Sequence, residues 1–381
     1  MVELKKITID GFKSFRHVEI ELGRINVLIG ANGSGKSNLL SFFDLLLAMI
    51  NSHLKWYVLR NGLGHTFLHY GPRKTQEVSA RIEFSSAAGE MAYSFRLGWG
   101  RHEDSLVLLE EATEQRQGPG DKFQKVIIND GSTESRLAEA AREGGSLVAA
   151  DLWRKINRCG VFQFFDTSAD ARIRQGQGSE DSSSLHRDAG NLAIYLVEIQ
   201  SGHAQRYRRI IENIRMVAPF FDDFELLHPA FFDTPTPNPK YLLNWKEQGQ
   251  DVVFGPHQLP DGLLRFIALT TVLSQPLEML PALLIIDEAE LGLHPAAITQ
   301  LGAMIRQASH HCQVLLATQS VTLVNEFEPE DLMVIERNQD RETGEWPTEI
   351  KRLEPARLEP WLEDYSLGEL WEKNVLGGRP S

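Results

Sequence analysis

The sequence has only two cysteines and no long hydrophobic run. Cys159 and Cys312 show no metal-ligand spacing, so we expect two buried, unpaired thiols in a reducing compartment. The longest apolar run, residues 39–50, has twelve residues and contains Asp44. A membrane-spanning helix needs about 20 apolar residues. The sequence therefore predicts no membrane-spanning segment.

Basic residues are also too few to balance the acidic ones, with 39 Lys and Arg against 52 Asp and Glu and a net charge of −13. This balance does not favour a broad nucleic-acid surface, although a local basic groove leaves DNA binding open. No heptad run is present, which excludes a long coiled-coil arm. Residues 1–6 are charged and lead into a strand pattern without the apolar stretch of a signal peptide, so a cytoplasmic location is expected.

The first fifty residues alternate between strand and helix patterns. Residues 4–9 and 18–22 alternate with period two and predict an antiparallel pair, and residues 25–29 form an apolar run typical of a central strand. A Gly-rich turn follows, and residues 37–50 have helical spacing. This order of strand, glycine turn and helix is typical of a nucleotide-binding protein.

The rest of the chain suggests an inserted antiparallel sheet and then a helical lobe. Further strands are predicted at 78–84, 91–99, 105–110 and 123–129. Residues 169–191 have loop composition, residues 192–217 return to a helical pattern, and the Pro-rich residues 234–239 mark a turn. With 42% hydrophobic residues, the 381-residue chain can bury a large core. We predict three segments, namely a nucleotide-binding lobe at 1–168, a helical lobe at 169–275 and core-completing elements at 276–381.

A complete phosphate-loop pattern lies between the predicted strand and helix. It consists of Gly30, Ala31, Asn32, Gly33, Ser34, Gly35, Lys36 and Ser37. The glycines let the backbone curl so that its N–H groups face phosphates, Lys36 supplies a cation, and the Ser37 hydroxyl suits Mg²⁺. Asn32 and Asn38 are further candidates for nucleotide contacts because of their position. The pattern predicts ATP as ligand, with Mg²⁺.

Two acidic residues end an apolar run at residues 283–288. Asp287 and Glu288 are therefore expected at the carboxyl end of a buried strand, where ligand sites of open α/β sheets lie. Asp287 is the candidate Mg²⁺ ligand, and Glu288 is the candidate base that deprotonates the attacking water. The alternative is a buried strand followed by solvated acids, which the upstream phosphate loop disfavours.

Three motifs resemble RecF- and SMC-like ABC ATPases. These are Ile9-Asp10-Gly11-Phe12-Lys13-Ser14-Phe15, Leu259-Pro260-Asp261-Gly262-Leu263-Leu264-Arg265-Phe266 and Asp287-Glu288-Ala289-Glu290-Leu291-Gly292-Leu293-His294-Pro295. The resemblance, to the compact RecF-like predicted AAA family ATPases without a coiled coil, spans essentially the whole chain. It implies an α/β P-loop NTPase of ABC-ATPase head type with an antiparallel β lobe and an inserted helical lobe. It also implies a homodimer that sandwiches ATP between its two chains. In this arrangement Asp261 and Gly262 of the signature motif, residues 259–266, complete the site.

The chain departs from that family at three positions. Pro260 stands where the family has a serine that donates a hydroxyl to the γ-phosphate. Residues 317–320 resemble the family's switch motif, in which Gln319 stands where histidine is usual. Ala289 stands where the family has a proline after the two acids. Gln319 can donate a hydrogen bond but cannot become a cation. Because Glu288 is retained, we expect a slow or partner-stimulated ATPase. An inactive nucleotide-binding protein is the alternative.

Two weaker signals lie in the predicted helical region and before it. Gln163 occupies the place of the Mg²⁺-sensing glutamine in the ABC class, although a polar position in an alternating strand explains it equally well. Four arginines are the candidates for a DNA-phosphate stripe, which a solvated helix face explains more simply. They are Arg206, Arg208, Arg209 and Arg215.

The expected function is therefore an ATP-hydrolysing dimer switch, forming a homodimer or a higher oligomer, in DNA repair or genome maintenance. One alternative is a sensor or scaffold subunit of an antiphage defence system that gates a separate nuclease or toxin. The other is a weakly hydrolysing assembly protein. Salt-sensitive DNA binding would indicate the first role, and a stable protein partner with little DNA affinity the second.

Overall fold

The computed structural model describes residues 3–86, 89–118, 121–142, 146–178, 182–227 and 240–378. The strands are β1 (Glu3–Phe12), β2 (Phe15–Glu21), β3 (Ile25–Ile29), β4 (Glu77–Ser86), β5 (Gly89–Gly100), β6 (Ser105–Arg116), β7 (Gln124–Asn129), β8 (Cys159–Phe162), β9 (Phe221–Leu227), β10 (Tyr241–Glu247), β11 (Val253–Phe254), β12 (Leu283–Asp287), β13 (Gln313–Thr318), β14 (Leu332–Arg337) and β15 (Thr348–Arg352). The helices are α1 (Lys36–Ile50), α2 (Leu54–Arg60), α3 (Leu137–Arg142), α4 (Leu147–Asn157), α5 (Leu192–Gly202), α6 (Ala204–Val217), α7 (Asp261–Ser274), α8 (Pro295–Ser309), α9 (Val321–Val324), α10 (Pro355–Leu362) and α11 (Leu367–Glu372).

The chain divides into two compact units. The first comprises Met1–Val161 together with Glu328–Ser381, and the second is Phe162–Phe327. The boundaries of these units differ from those of the predicted segments 1–168, 169–275 and 276–381. The reason is that strands β14 and β15, near the C-terminal end, lie in the same unit as strand β3, which precedes the phosphate loop. The three-segment division therefore stays a prediction about the order of lobes along the chain.

Two sheets organise the first unit. One has the order β2-β1-β4-β5-β6-β7 with antiparallel neighbours, so the predicted antiparallel pair and the predicted inserted strands form a single sheet. In the other, β3 pairs in parallel with β14, which pairs antiparallel with β15. All five residues of β3 are buried, as expected for a central strand covered on both faces. The phosphate loop follows its last residue.

The second unit contains a parallel strand pair, several helices and a small antiparallel sheet. Strands β12 and β13 pair in parallel and are buried throughout. The sheet β11-β10-β9 was not predicted. Its strand β9 carries the aromatic residues Phe221 and Phe224. The predicted helix at 192–217 is divided into α5 and α6 at His203, whose backbone leaves the helical conformation. The predicted turn at 234–239 lies outside the described residues.

Two expectations about burial and length are confirmed. Both cysteines are free and buried, and burial raises the pKa of the Cys159 thiol to about 12. In the described part of the chain, the longest helices, α1 and α8, have 15 residues each, so none there is a coiled-coil arm. None of the helices within those ranges is long and apolar enough to cross a bilayer.

A buried guanidinium joins separate segments of the second unit. The Arg174 side chain is only 5% exposed and pairs with Asp261 at 2.6 Å. Its Nε donates to the Thr167 carbonyl at 2.9 Å, and its Nη1 donates to the carbonyls of Pro256 and Leu259. A buried cation is stabilised only when its donors are paired. Arg174 therefore fixes the chain that leads into α7.

We predict that Arg174→Met lowers the free energy of unfolding by about 3 kcal/mol or more, since it leaves buried carbonyls without donors. Arg172→Met is the matched control. The Arg172 side chain is 64% exposed and pairs with Asp188 at 3.1 Å, so its loss should cost less than about 1 kcal/mol. Urea unfolding of both variants measures the difference, and equal losses would contradict this role for Arg174.

Candidate functional site

The phosphate loop turns sharply between β3 and α1. Gly33 and Gly35 have φ values of +79° and +118°, which L side chains rarely adopt. A Cβ on Gly35 would lie 2.6 Å from Thr348 Oγ1 and 3.1 Å from Ser14 Oγ, whereas nothing lies within 4 Å of a Cβ on Gly33. Position 35 therefore needs glycine for space as well as for conformation.

The loop is fixed by partners that are distant in sequence. The Thr348 hydroxyl donates to the Ser34 carbonyl at 2.8 Å and lies 2.7 Å from Ser14 Oγ. The Asn38 side-chain amide donates to Ser14 Oγ at 2.7 Å, so this candidate nucleotide contact faces the first hairpin. The Ala31 N–H donates to the Gly378 carbonyl at 2.7 Å. Sequence reasoning did not identify Thr348, and it placed Ser14 only in the first-hairpin motif, because neither residue belongs to the loop motif.

The ammonium of Lys36 lies inside the loop. Lys36 is 5% exposed, and its Nζ donates to the Gly30 and Ala31 carbonyls at 2.5 and 2.9 Å. Ser34 Oγ is buried and has no hydrogen-bond partner among the described residues. Ser37 is exposed in the first turn of α1. The loop thus presents a fixed cation, an unpaired hydroxyl and an accessible hydroxyl, which together fit phosphate oxygens and a hydrated cation.

A pocket of about 540 Å³ opens beside the loop in the first unit. Residues 31–34 line it, together with Glu336, Arg337, Asn338, Trp346 and, near the end of the described chain, Asn374, Gly377 and Gly378. Trp346 is 46% exposed, and its backbone N–H donates a 2.8 Å hydrogen bond to the Tyr70 hydroxyl. Arg16 in β2 pairs with Asp340 and lowers the pKa of that carboxyl to about 2. The pocket thus combines phosphate-binding groups with an aromatic surface.

In the second unit, Asp287 is the last residue of β12 and Glu288 follows it, at the carboxyl end of a buried strand as predicted. Asp287 is 6% exposed. Glu288 has a φ of +44°, a left-handed conformation that is costly for a residue with a side chain. Its N–H donates to the Ala317 carbonyl at 2.9 Å, and its Oε1 accepts a 2.9 Å hydrogen bond from Gln319 Nε2. Glu288 and Gln319 are therefore brought together and held by each other.

Gln163 is brought to the other acid. Its Nε2 lies 3.4 Å from Asp287 Oδ2, and its Oε1 accepts from the Arg187 guanidinium at 2.6 Å. The amide oxygen that a metal ion needs therefore faces Arg187, so a role for Gln163 as Mg²⁺ ligand stays a prediction. Among the described residues, no group of three or more His, Cys, Asp or Glu side chains is placed to hold a metal ion. A Mg²⁺ site built from one or two protein oxygens, phosphates and water does not require such a group.

The signature motif begins helix α7. Pro260 is the N-cap and offers no side-chain capping bond, and Asp261 is held by Arg174 at 2.6 Å. A Cβ on Gly262 would lie 2.3 Å from the Gly292 carbonyl oxygen. Glycine at 262 therefore lets the helix start approach the segment after the two acids.

Arg265, further along α7, also ties the helix to its surroundings. It donates to the carbonyls of Phe164, Phe165 and Leu291, at 3.0, 2.9 and 3.3 Å. The backbone contacts of Gly262 and Arg265 explain much of the motif as local packing. Arg174, which holds Asp261, was missed because it lies in a loop-like stretch without a pattern.

We predict that Gly35→Ala destabilises the protein more than Gly33→Ala. The strained backbone alone costs about 1–2 kcal/mol at either position. Gly35→Ala adds the collision with Thr348, a further loss of about 1–3 kcal/mol. Unfolding free energies from urea titration provide the measurement, with wild type as reference. A larger loss for Gly33→Ala would show that the Thr348 contact does not constrain the loop.

Comparisons with known proteins agree with this geometry. The family model of the RecF/RecN/SMC N terminal domain matches residues 3–343. Among solved structures, an Smc head bound to the C-winged helix domain of ScpA has a TM-score of 0.57 at 16% identity, covering 93% of this chain and 99% of that one.

Two Smc heads from Pyrococcus species share the fold as well. The head with an extended coiled coil from Pyrococcus furiosus, bound to the C-terminal domain of ScpA, gives a TM-score of 0.57 at 15% identity, covering 96% of this chain and 99% of that one. The head from Pyrococcus yayanosii, with a coiled coil and joint, gives 0.53 at 12% identity with the same coverage. The predicted α/β P-loop fold of ABC-ATPase head type is confirmed. This protein belongs to the RecF/RecN/SMC N-terminal domain family.

Proposed function

We propose that this protein binds ATP with Mg²⁺, hydrolyses it to ADP and phosphate, and uses ATP to join two copies of the chain. The observation that carries this proposal is the phosphate loop: a glycine-dependent turn after a buried strand, with the Lys36 ammonium inside it. Such a loop directs backbone N–H groups and a cation at phosphates. Family membership supports the same activity.

The residues of the loop are assigned to the nucleotide. Gly30, Gly33 and Gly35 shape the backbone, Lys36 binds phosphate, and Ser34 offers the unpaired hydroxyl described above. The pocket of about 540 Å³ beside the loop has room for a nucleoside, and Trp346 offers a stacking surface for its base. Asn32 lines this pocket and is assigned to the nucleotide too, whereas Asn38 supports the loop through Ser14.

The acidic residues are assigned to the cation and to water. Ser37 and Asp287 would hold Mg²⁺, with Gln163 as a further candidate. Mg²⁺, when bound, supplies positive charge that neutralises phosphate oxygens. Glu288 would accept the proton of the attacking water, and Gln319 orients the Glu288 carboxylate through its 2.9 Å hydrogen bond.

Hydrolysis is proposed to be slow. Pro260 lacks the serine hydroxyl of the signature motif, and Gln319 stays neutral where a histidine would carry charge. Each missing transition-state donor costs about 10²–10³ in rate. Asp261 and Gly262 are proposed to face the nucleotide of a second copy, so that ATP is sandwiched in a homodimer.

The proposed setting is DNA repair or genome maintenance. It rests on resemblance and on membership of a family whose model groups RecF, RecN and SMC proteins. A protein partner is a second part of the proposal, because two similar Smc heads are bound to a domain of ScpA. None of the contacts in the described ranges favours the alternative role of a defence sensor that gates a nuclease or toxin.

The first experiment tests the switch. We expect ATP and Mg²⁺ to raise the mass measured by light scattering towards twice the 43.0 kDa of one chain. Glu288→Gln should sharpen this rise, and it should lower the rate of phosphate release by about 10²–10⁴, since it removes the base but keeps the side-chain size.

Glu278→Gln is the control for this experiment. The Glu278 side chain is 64% exposed in the same unit, so wild-type behaviour is expected. A mass that ignores ATP in both wild type and Glu288→Gln would contradict the dimer switch. Phosphate release that Glu288→Gln leaves unchanged would remove Glu288 from the reaction.

A second experiment tests the position of the adenine base of the bound ATP. If the base stacks on Trp346, ATP should change tryptophan fluorescence in the wild type, and Trp346→Phe should abolish most of that change. Trp361→Phe is the matched control, because Trp361 is 47% exposed and does not line the pocket. A change that survives in Trp346→Phe would place the base elsewhere.

A further inference from the structure

A small basic pocket lies within the second unit, between α6 and the C-terminal ends of α7 and α8. Its volume is about 60 Å³. Arg206, Arg209 and His311 supply its basic groups, and no carboxylate is among the residues that line it. One water occupies about 30 Å³ in the liquid. The pocket therefore suits a group of a few heavy atoms rather than a whole nucleotide.

The two arginines project from the same face of α6. Positions three apart are neighbours on a helix surface, and both residues are partly buried. Within the described ranges, neither guanidinium has a hydrogen bond or an ion pair. Arg215 on the same helix differs, because it donates to Asp222 at 2.8 Å. Arg206 and Arg209 thus carry partly desolvated charge without a counter-charge, which favours an anion in the pocket.

A third donor in the pocket is also unpaired. Gln275 lines the pocket and is only 3% exposed. Its Oε1 accepts a 2.5 Å hydrogen bond from the Tyr195 hydroxyl, which fixes the amide, while its Nε2 is buried without a hydrogen-bond partner. A buried amide donor without an acceptor is costly and uncommon. An oxygen acceptor bound beside Gln275 would supply the partner that this donor lacks.

The surrounding helix ends do not reverse the sign of the pocket. Helices α7 and α8 end at Ser274 and Ser309, and each helix C-terminus contributes about half a negative charge. Arg206 and Arg209 contribute two full positive charges. The two helix ends together offset about one of these two positive charges, so they do not cancel the arginines.

We propose that this pocket binds a single phosphate group, held by Arg206, Arg209 and the Gln275 amide. Guanidinium groups match the oxygens of phosphate, and the pocket admits one such group. Phosphate can come from the free ion or from the backbone of DNA, and the experiment separates these sources. The inference does not depend on ATP hydrolysis.

The test uses full-length protein carrying Lys36→Ala, so that the phosphate loop lacks its ammonium and does not dominate the signal. To this background we add Arg206→Gln with Arg209→Gln, which keep much of each side-chain stem. Arg208→Gln is the control, because Arg208 is exposed on the same helix and does not line the pocket. Inorganic phosphate is titrated by calorimetry at constant ionic strength, and a fluorescent DNA oligonucleotide is titrated by anisotropy. Circular dichroism checks that the variants stay folded.

We expect the paired glutamine variant to bind phosphate or DNA about tenfold more weakly, or worse, while Arg208→Gln binds like its parent. Weakening of phosphate alone identifies a site for the free ion, and weakening of both probes identifies a site that accepts phosphate from either source. Weakening of DNA alone identifies a backbone phosphate as the ligand. If neither probe binds the parent, or if the paired variant matches the Arg208→Gln control, the proposal is overturned. The ATP-dependent mass is measured with Lys36 intact, so its failure is a separate result.

Discussion

The candidate site depends on a backbone constraint: the buried strands β3 and β12 each lead into a turn that contains left-handed residues. At the end of β12 the turn is made by Glu288, whose φ is +44° although it is not glycine. In a continued strand, neighbouring side chains point to opposite faces, so Asp287 and Glu288 would diverge. The turn ends the strand at Glu288, whose carboxylate contacts Gln319, whereas Asp287 contacts Gln163. The strain of this turn, about 1–3 kcal/mol, is offset by the hydrogen bonds that Glu288 makes to Ala317 and Gln319.

In the phosphate loop, the left-handed backbone conformations are adopted by glycine residues. Gly35 must lack a Cβ because Thr348 and Ser14 occupy the adjacent space, whereas Gly33 needs only its conformation. The partners come from β15 and from the turn between β1 and β2, so the first unit assembles the loop from three separate parts of the chain. The loop is a tertiary structure even though its motif is local.

The sequence predicted local features better than partners. Buried strands followed by glycines or acids were evident, because β3 and β12 are continuous apolar runs. The small sheet of β9, β10 and β11 was missed, since a cluster of phenylalanines and acids lacks clear alternation and the strand pairing skips a Pro-rich segment. The break at His203 interrupts an otherwise continuous helical pattern. Arg174 and Thr348 could not be found, because their roles arise only when distant segments meet.

The sequence also could not show which arginines of α6 are paired, because their partners are set by tertiary contacts. A run of four basic residues indicates either a solvated face or a phosphate stripe, and the sequence does not separate these. In the structure the run is not one surface. Arg215 is neutralised by Asp222, Arg208 is exposed, and Arg206 with Arg209 lines a pocket free of carboxylates. A chain with a net charge of −13 can therefore hold a confined positive site, because electrostatic attraction at short range depends on the nearest unpaired charges rather than on the total.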